Sequence, residues 1–140
     1  MAKRGSNEVV VEYDNAGGTL VDITQHVLEL SSLDVEIVLE DSHSFGDSWA
    51  EALAVGLRKL ADVTIMGFYD DAASPAPDAL FQGNIPTGPA STSKTLKITF
   101  GGTKTLSVET FIAKYRRIPK RGEITKYEVV LRPTGTVTEV

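Results

Sequence analysis

Residues 1–140 read as a single mainly β domain, a β-sandwich or partly closed barrel of six to eight strands with one short flanking helix. Three observations carry this reading. Apolar and polar residues alternate with period two over most of the chain, the pattern of strands with one face in a core and the other in water. Clusters of Gly, Asn and Pro separate these stretches where turns are needed. Only one segment, residues 77–81, opens with helix-start chemistry. A chain of 140 residues holds one core of ordinary size and is too short for two.

The first strand runs from Glu8 to Tyr13, with Val9, Val11 and Tyr13 on one face and Glu8, Val10 and Glu12 on the other. Asp14-Asn15-Ala16-Gly17-Gly18 ends it, because Asn and Gly accept the backbone angles of tight turns. A second extended stretch covers Gln25 to Ser31. Ser32-Leu33-Asp34 leads into the clearest strand, in which Val35, Ile37 and Leu39 are expected to face inward and Asp34, Glu36 and Glu40 to face water. From Asp41 to Lys59 the chain is too apolar for an ordinary solvated loop. Its part from Ser48 to Leu60 also fits a short helix through Trp49, Leu53, Leu57 and Leu60, and both readings stay open. A long, partly apolar connection in a compact domain is more often functional than not.

A strand from Asp62 to Tyr69 follows, then a Pro/Ala/Ser-rich linker. Pro77-Asp78-Ala79-Leu80-Phe81 reads as a short helix, with Pro in the first turn and Asp where the helix dipole favours an anion. Ile85 to Ser93 reads as an exposed connection, and the remainder as a β-meander. Thr95 to Phe100 puts Leu96, Ile98 and Phe100 on one face, and Gly101-Gly102-Thr103 turns the chain. Lys104 to Ile118 is a long strand, bulged or bent near Glu109–Phe111, where its inward register shifts. Pro119-Lys120-Arg121-Gly122 turns into Glu123 to Leu131, where Tyr127, Val129 and Leu131 share a face. Pro133-Thr134-Gly135 is expected to open a polar tail. Residues 1–7 and 135–140 are therefore expected to be flexible termini that order on assembly.

Composition narrows function mainly by exclusion. No apolar run approaches the ~20 residues that span a bilayer, so no membrane partner is expected. Met1 to Asn7 has a basic pair with no apolar stretch behind it, which does not make a signal peptide. With no cysteine, disulfide scaffolds and thiolate metal sites are out, and synthesis in a reducing cytoplasm is expected. A formal net charge of -5 disfavours a nucleic-acid clamp, since affinity for phosphate backbones comes from counterions released at Lys and Arg. It suits a surface that DNA passes without sticking.

Two histidines are the whole imidazole inventory, His26 and His43. Asp41, His43 and Asp47 carry suitable metal-ligand atoms, but their spacing matches no known site closely, and a polar loop is the reading adopted. His43 beside Ser42 and Ser44 gives no nucleophile–base geometry. Asp70-Asp71 lacks the many spaced oxygens of a calcium loop. Gly101-Gly102-Thr103-Lys104 lacks the glycine spacing and following helix of a phosphate loop. No catalytic, metal or cofactor-binding residue is assigned, and no enzyme activity is expected.

Charge is unevenly placed. Lys114, Arg116, Arg117, Lys120 and Arg121 crowd one hairpin, while Asp34, Glu36, Glu40, Asp41 and Asp47 gather elsewhere. Either both are solvated faces, since surface ion pairs carry little energy, or they belong to opposite surfaces of a head-to-tail assembly with complementary fields.

Four pieces in order then carry a resemblance: Asp34-Val35-Glu36-Ile37, Ser44-Phe45-Gly46-Asp47-Ser48-Trp49, Gly56-Leu57-Arg58-Lys59 and Ile65-Met66-Gly67-Phe68-Tyr69-Asp70-Asp71. Pro77-Asp78-Ala79-Leu80 follows, and Glu128-Val129-Val130-Leu131-Arg132-Pro133-Thr134-Gly135 closes the pattern. Over about residues 20 to 135 this resembles the major tail tube proteins of long, non-contractile-tailed bacteriophages. Trp49-Ala50-Glu51-Ala52 departs from the pattern, where a more basic segment is expected.

The resemblance implies a β-sandwich with a flanking helix, similar in fold to the tube protein of type VI secretion. It implies homo-hexameric rings stacked into a hollow tube around a tape-measure protein. Tail terminator and distal tail proteins would be further partners, with double-stranded DNA passing through without specific binding. The implied location is the virion tail, after synthesis in the host bacterial cytoplasm. If six subunits each lend about four strands, ~24 strands at ~4.8 Å spacing and a tilt of about 40° close a wall roughly 45–50 Å across. On this reading Asp34, Glu36 and Glu40 are expected to face the lumen. Phe45, Gly46, Asp47, Trp49, Leu53 and Leu57, with Arg116, Arg117, Lys120 and Arg121, are expected at subunit or ring interfaces. The alternatives are a monomeric β-sandwich binding module using Trp49 and Tyr69 as aromatic platforms, or another tail component or secretion-type tube protein of the same fold.

Overall fold

The computed structural model describes residues 5, 8–41, 46, 49, 52–72, 76–89 and 91–140, without the side chains of Val38 and residues 54–57. Its first hairpin is set by one side chain. Asn15 Oδ1 accepts the backbone N–H groups of Gly17 at 2.9 Å and Thr19 at 3.1 Å, and Gly18 takes a positive φ of 81° that other residues reach only with strain. The turn joins β1 (Val10–Asp14) to β2 (Leu20–Asp22). The other described strands are β3 (Glu29–Leu30), β4 (Val35–Asp41), β5 (Ala52–Leu60), β6 (Val63–Phe68), β7 (Lys94–Thr99), β8 (Thr105–Ile118) and β9 (Lys126–Glu139). Seven of them form one antiparallel sheet in the order β2-β1-β7-β8-β9-β6-β3, curled into a half-barrel, while β4 and β5 pair only with each other.

The alternation read from the sequence sets the inside of the curl. Val11 and Tyr13, Leu96 and Ile98, and Tyr127, Val129 and Leu131 are all buried, as expected, and Val63 and Ile65 join them from β6. Asp78–Gln82 makes a single π-type helical turn one residue beyond the expected start, and it buries Leu80 and Phe81. The Phe81 ring lies 5.3 Å from that of Tyr13 and 5.8 Å from that of Tyr127, so this turn plugs one end of the half-barrel.

Four expectations are corrected. Gln25 to Ser31 is not one extended stretch: Thr24–His26 is a 3-10 turn and β3 has only two residues. Asp22 Oδ1 accepts both the backbone N–H and the hydroxyl of Thr24, and such local side-chain bonds compete with a ladder. The segment ending at Leu60 is a strand and not a helix, because β4 satisfies its backbone and Gly56 weakens any helix there. The shift expected in β8 near Glu109–Phe111 falls on either side of that stretch, between Ser107 and Glu109 and again at Ala113, the extra residue between Ile112 and Lys114.

The last correction concerns the C-terminal end. The polar tail expected from Pro133, with 135–140 free, is the second half of β9, hydrogen-bonded to β8 as far as Glu139. Thr105 and Val140 then exchange backbone hydrogen bonds of 3.0 and 3.1 Å. Proline is tolerated because β6 stops where Val63 faces Leu131, so the missing N–H of Pro133 leaves no ladder bond unmade on that side.

Candidate assembly surfaces

The β4–β5 hairpin is the least covered part of the subunit. Val35 pairs with Leu60, Glu36 with Lys59 and Ile37 with Arg58; then β5 takes extra residues before Leu39 meets Ala54. Alternation puts Val35, Ile37 and Leu39 on one face, and Glu36 and Glu40 on the other. The expectation that the apolar face points inward fails within the single chain: Val35, Ile37 and Leu39 are 50%, 44% and 56% exposed. Only the root of the hairpin, at Leu60, reaches the core; beyond it β4 and β5 pair with no further described strand. An isolated two-stranded ribbon is marginal in water. Leu53 and Trp49 are exposed as well, at 62% and 83%.

The polar face carries Glu36 in a loose ion pair with Lys59 at 3.8 Å, and Asp34 accepts the Ser32 hydroxyl at 3.0 Å just before the strand. The three carboxylates expected in the lumen thus sit along β4 and its lead-in. Among the other residues expected at interfaces, Gly46 lies in a turn and Leu57 lies in β5. Phe45 and Asp47 lie outside the described residues, as does His43.

The basic hairpin resolves into two kinds of side chain. Arg116 is ion-paired with Glu128, its cross-strand partner on β9. Arg117 donates from Nε and Nη2 to Asp78 Oδ1 at 2.8 and 2.6 Å, and the Tyr115 hydroxyl donates to the same oxygen at 3.2 Å. Its guanidinium also lies over the rings of Tyr115 and Tyr69, with the centroids 5.3 and 5.9 Å away. The hydrogen bond to Asp78 raises the Arg117 pKa, and burial chiefly raises that of Tyr115. Arg116 therefore ties β8 to β9, and Arg117 holds the helical turn against the sheet. Lys120 and Arg121, in the β8–β9 turn, pair with no described residue.

The same cluster explains much of the motif at residues 65–71. A Cβ on Gly67 would lie 1.9 Å from the His26 carbonyl oxygen, which also accepts the Tyr127 hydroxyl at 2.6 Å. Tyr69 lies under Arg117, and the Asp70 carbonyl accepts the backbone N–H of Asp78 at 3.3 Å. Sequence reasoning did not single out Gly67 or Asp78 as keystones; a glycine inside a strand pattern was the available signal.

One cleft of about 840 Å³ opens at the mouth of the half-barrel, between Val9, Phe100 and Leu106 on one side and Leu28, Leu30 and Leu33 on the other. Glu29 and Glu139 are its carboxylates. No group of three or more metal-ligating side chains gathers among the described residues. Among the described residues the exposed features are apolar faces and charged side chains without a partner in the chain.

No family model matches the sequence, and no curated protein matches it either. Solved structures do match the fold over nearly the whole chain. A chain from the tail of an empty gene transfer agent particle with C6 symmetry superposes with a TM-score of 0.70 at 15% identity, covering 99% of each chain. A chain of the anti-feeding prophage baseplate gives 0.75 at 11% identity, covering 100% of this chain and 97% of that one. A chain of the sheath–tube complex of an extracellular contractile injection system, in its extended state, gives 0.71 at 14%, covering 99% and 91%. At these identities the likeness establishes the fold, which is that of tail-tube-like subunits.

Proposed function

We propose that this chain is a structural subunit of a tail tube in a phage-like particle, acting by self-assembly and not by catalysis. The observation that carries the reading is the β4–β5 hairpin, whose apolar face stays half exposed on a chain with a tail-tube-like fold. Apolar surface of that kind marks an interaction site. A second copy supplies the cover: Val35, Ile37 and Leu39 pack on the neighbour in a ring, and Asp34, Glu36 and Glu40 are left facing the bore. The C6 symmetry of one of the similar particles supports six copies per ring. Stacked rings would then enclose a tape-measure protein and later pass double-stranded DNA, with terminator and distal tail proteins at the two ends and the whole in the virion tail.

A second reading within the same class is a sheathed tube. The likeness to chains of contractile injection systems favours it, whereas the non-contractile type rests on the sequence motifs alone. Negative-stain microscopy of the purified protein across a concentration series tests the shared claim. Tubes of uniform width are expected, and particles that remain single at every concentration and beside their tail components would refute it.

A further inference from the structure

The two ends of the β8–β9 strand pair differ in kind. At one end the connecting turn carries Lys120, Arg121 and the single acid Glu123, with Ile124 67% exposed. Phe68, Lys126 and Ile118 form a cross-strand row beside it, and Phe68 is 42% exposed. This end is apolar and basic. At the other end Leu106 pairs with Glu139, and both line the cleft at the mouth of the half-barrel together with Val9, Phe100 and Glu29. That end is apolar and acidic. Neither the two basic side chains of the turn nor the carboxylates of Glu29 and Glu139 have a partner among the described residues.

From these ends we infer that the β8–β9 turn of one copy seats in the half-barrel mouth of the next copy, with Ile124 against its apolar wall and Lys120 and Arg121 facing Glu29 and Glu139. This rests on the tube reading and assigns its axial contact. Two unlike surfaces at opposite ends of one strand pair make a heterologous contact, which repeats as an open stack and does not close into a dimer. Apolar area supplies attraction, while the charges fix register and reject the inverted pairing. Val35, at the root of the hairpin, shares a second cleft with Glu139, whereas Ile37 and Leu39 line neither cleft and stay available for the lateral contact.

Cross-linking tests the contact directly, because the chain has no cysteine. Ile124→Cys and Glu139→Cys are introduced together. The 14 residues of β9 at ~3.3 Å each separate the two positions by about 45 Å, far beyond the ~7 Å a disulfide can span, so any bond must join different copies. Oxidised tubes are expected to run as a ladder of multimers on a non-reducing gel. Lys120→Glu with Arg121→Glu, and Glu29→Lys with Glu139→Lys, are each expected to raise the critical concentration at least about tenfold, and the fourfold variant to restore it. Double-cysteine tubes that give only monomer after oxidation, or charge reversals that do not rescue one another, overturn the axial contact and leave the tube reading standing. Wild-type protein that never polymerises overturns both.

Discussion

Replacing Ile37 and Leu39 together by serine separates assembly from folding. Full burial of such a side chain is worth about 1.5–3 kcal/mol. Ile37 and Leu39 are 44% and 56% exposed in the subunit, so roughly half of that, about 1 kcal/mol each, is still unclaimed before a neighbour arrives. The double variant should weaken each lateral contact by about 2 kcal/mol, or roughly 30-fold in the association constant. The critical concentration, read by pelleting or light scattering, should rise by a similar factor. The unassembled subunit should itself lose up to about 2 kcal/mol, the half already buried, so the critical concentration is read under conditions where circular dichroism shows the variant folded. Ile65→Ala is the contrast: Ile65 is fully buried, and its truncation should cost the fold about 2–5 kcal/mol whether or not tubes form. An unchanged critical concentration in the serine double variant would refute the covering role of a second copy. So would an assembly defect that merely tracks loss of subunit stability.

Four further outcomes follow from the geometry. Asp78→Ala removes the shared acceptor of Arg117 and Tyr115 and should cost about 1–2 kcal/mol in chemical denaturation, part of it screened because the pair is partly exposed. Gly67→Ala forces a Cβ against the His26 carbonyl and should cost about 3 kcal/mol, whereas Tyr127→Phe, losing only the hydroxyl bond to that oxygen, should cost about 1. Burial chiefly pushes the Tyr13 pKa up from 10.0 to about 12, and Tyr115 and Tyr127 are raised as well. The native state keeps protons that the unfolded chain has lost, so stability should be full below pH 10 and fall between pH 10 and about 12, by up to ~1.4 kcal/mol per pH unit for each of the buried Tyr13 and Tyr127, and by less for the part-exposed Tyr115, which solvent screens. Circular dichroism alongside tyrosinate absorbance checks the sign. Finally, Glu36→Lys with Glu40→Lys should slow DNA ejection from assembled tails, and unchanged ejection kinetics would remove both residues from the bore.

The half-barrel was legible because its strands bury one face inside their own chain. At Tyr13, Leu96, Ile98, Tyr127 and Val129, period two in the sequence became burial in the subunit. At Val35, Ile37 and Leu39 the same period describes an equally one-sided strand, but the covering surface is not in the chain, and alternation carries no information about who supplies the cover. The C-terminal strand was missed for a different reason. Residues 133–139 have few apolar positions, and their pairing with β8 is a backbone matter that composition does not report. Among the charged residues, spacing grouped Arg116, Arg117, Lys120 and Arg121 as one patch. Only the fold separates the first two, spent on Glu128 and Asp78, from the turn residues. The motif at residues 65–71 was seen as a resemblance before its physics was visible: a carbonyl pressed against a strand at Gly67, and a ring offered to a guanidinium at Tyr69.

The pairing of β8 with β9 has a mechanical side. Each strand is 14 residues long, and their ladder, shifted in register between Ser107 and Glu109 and again at Ala113, runs from the basic turn to the mouth of the half-barrel. Pulling apart its two ends would load the cross-strand hydrogen bonds in shear, many at once, instead of peeling them singly as in a zipper. A stack held through those ends would have one stiff spar per subunit in line with the strain, leaving the loosely held β4–β5 ribbon to absorb bending.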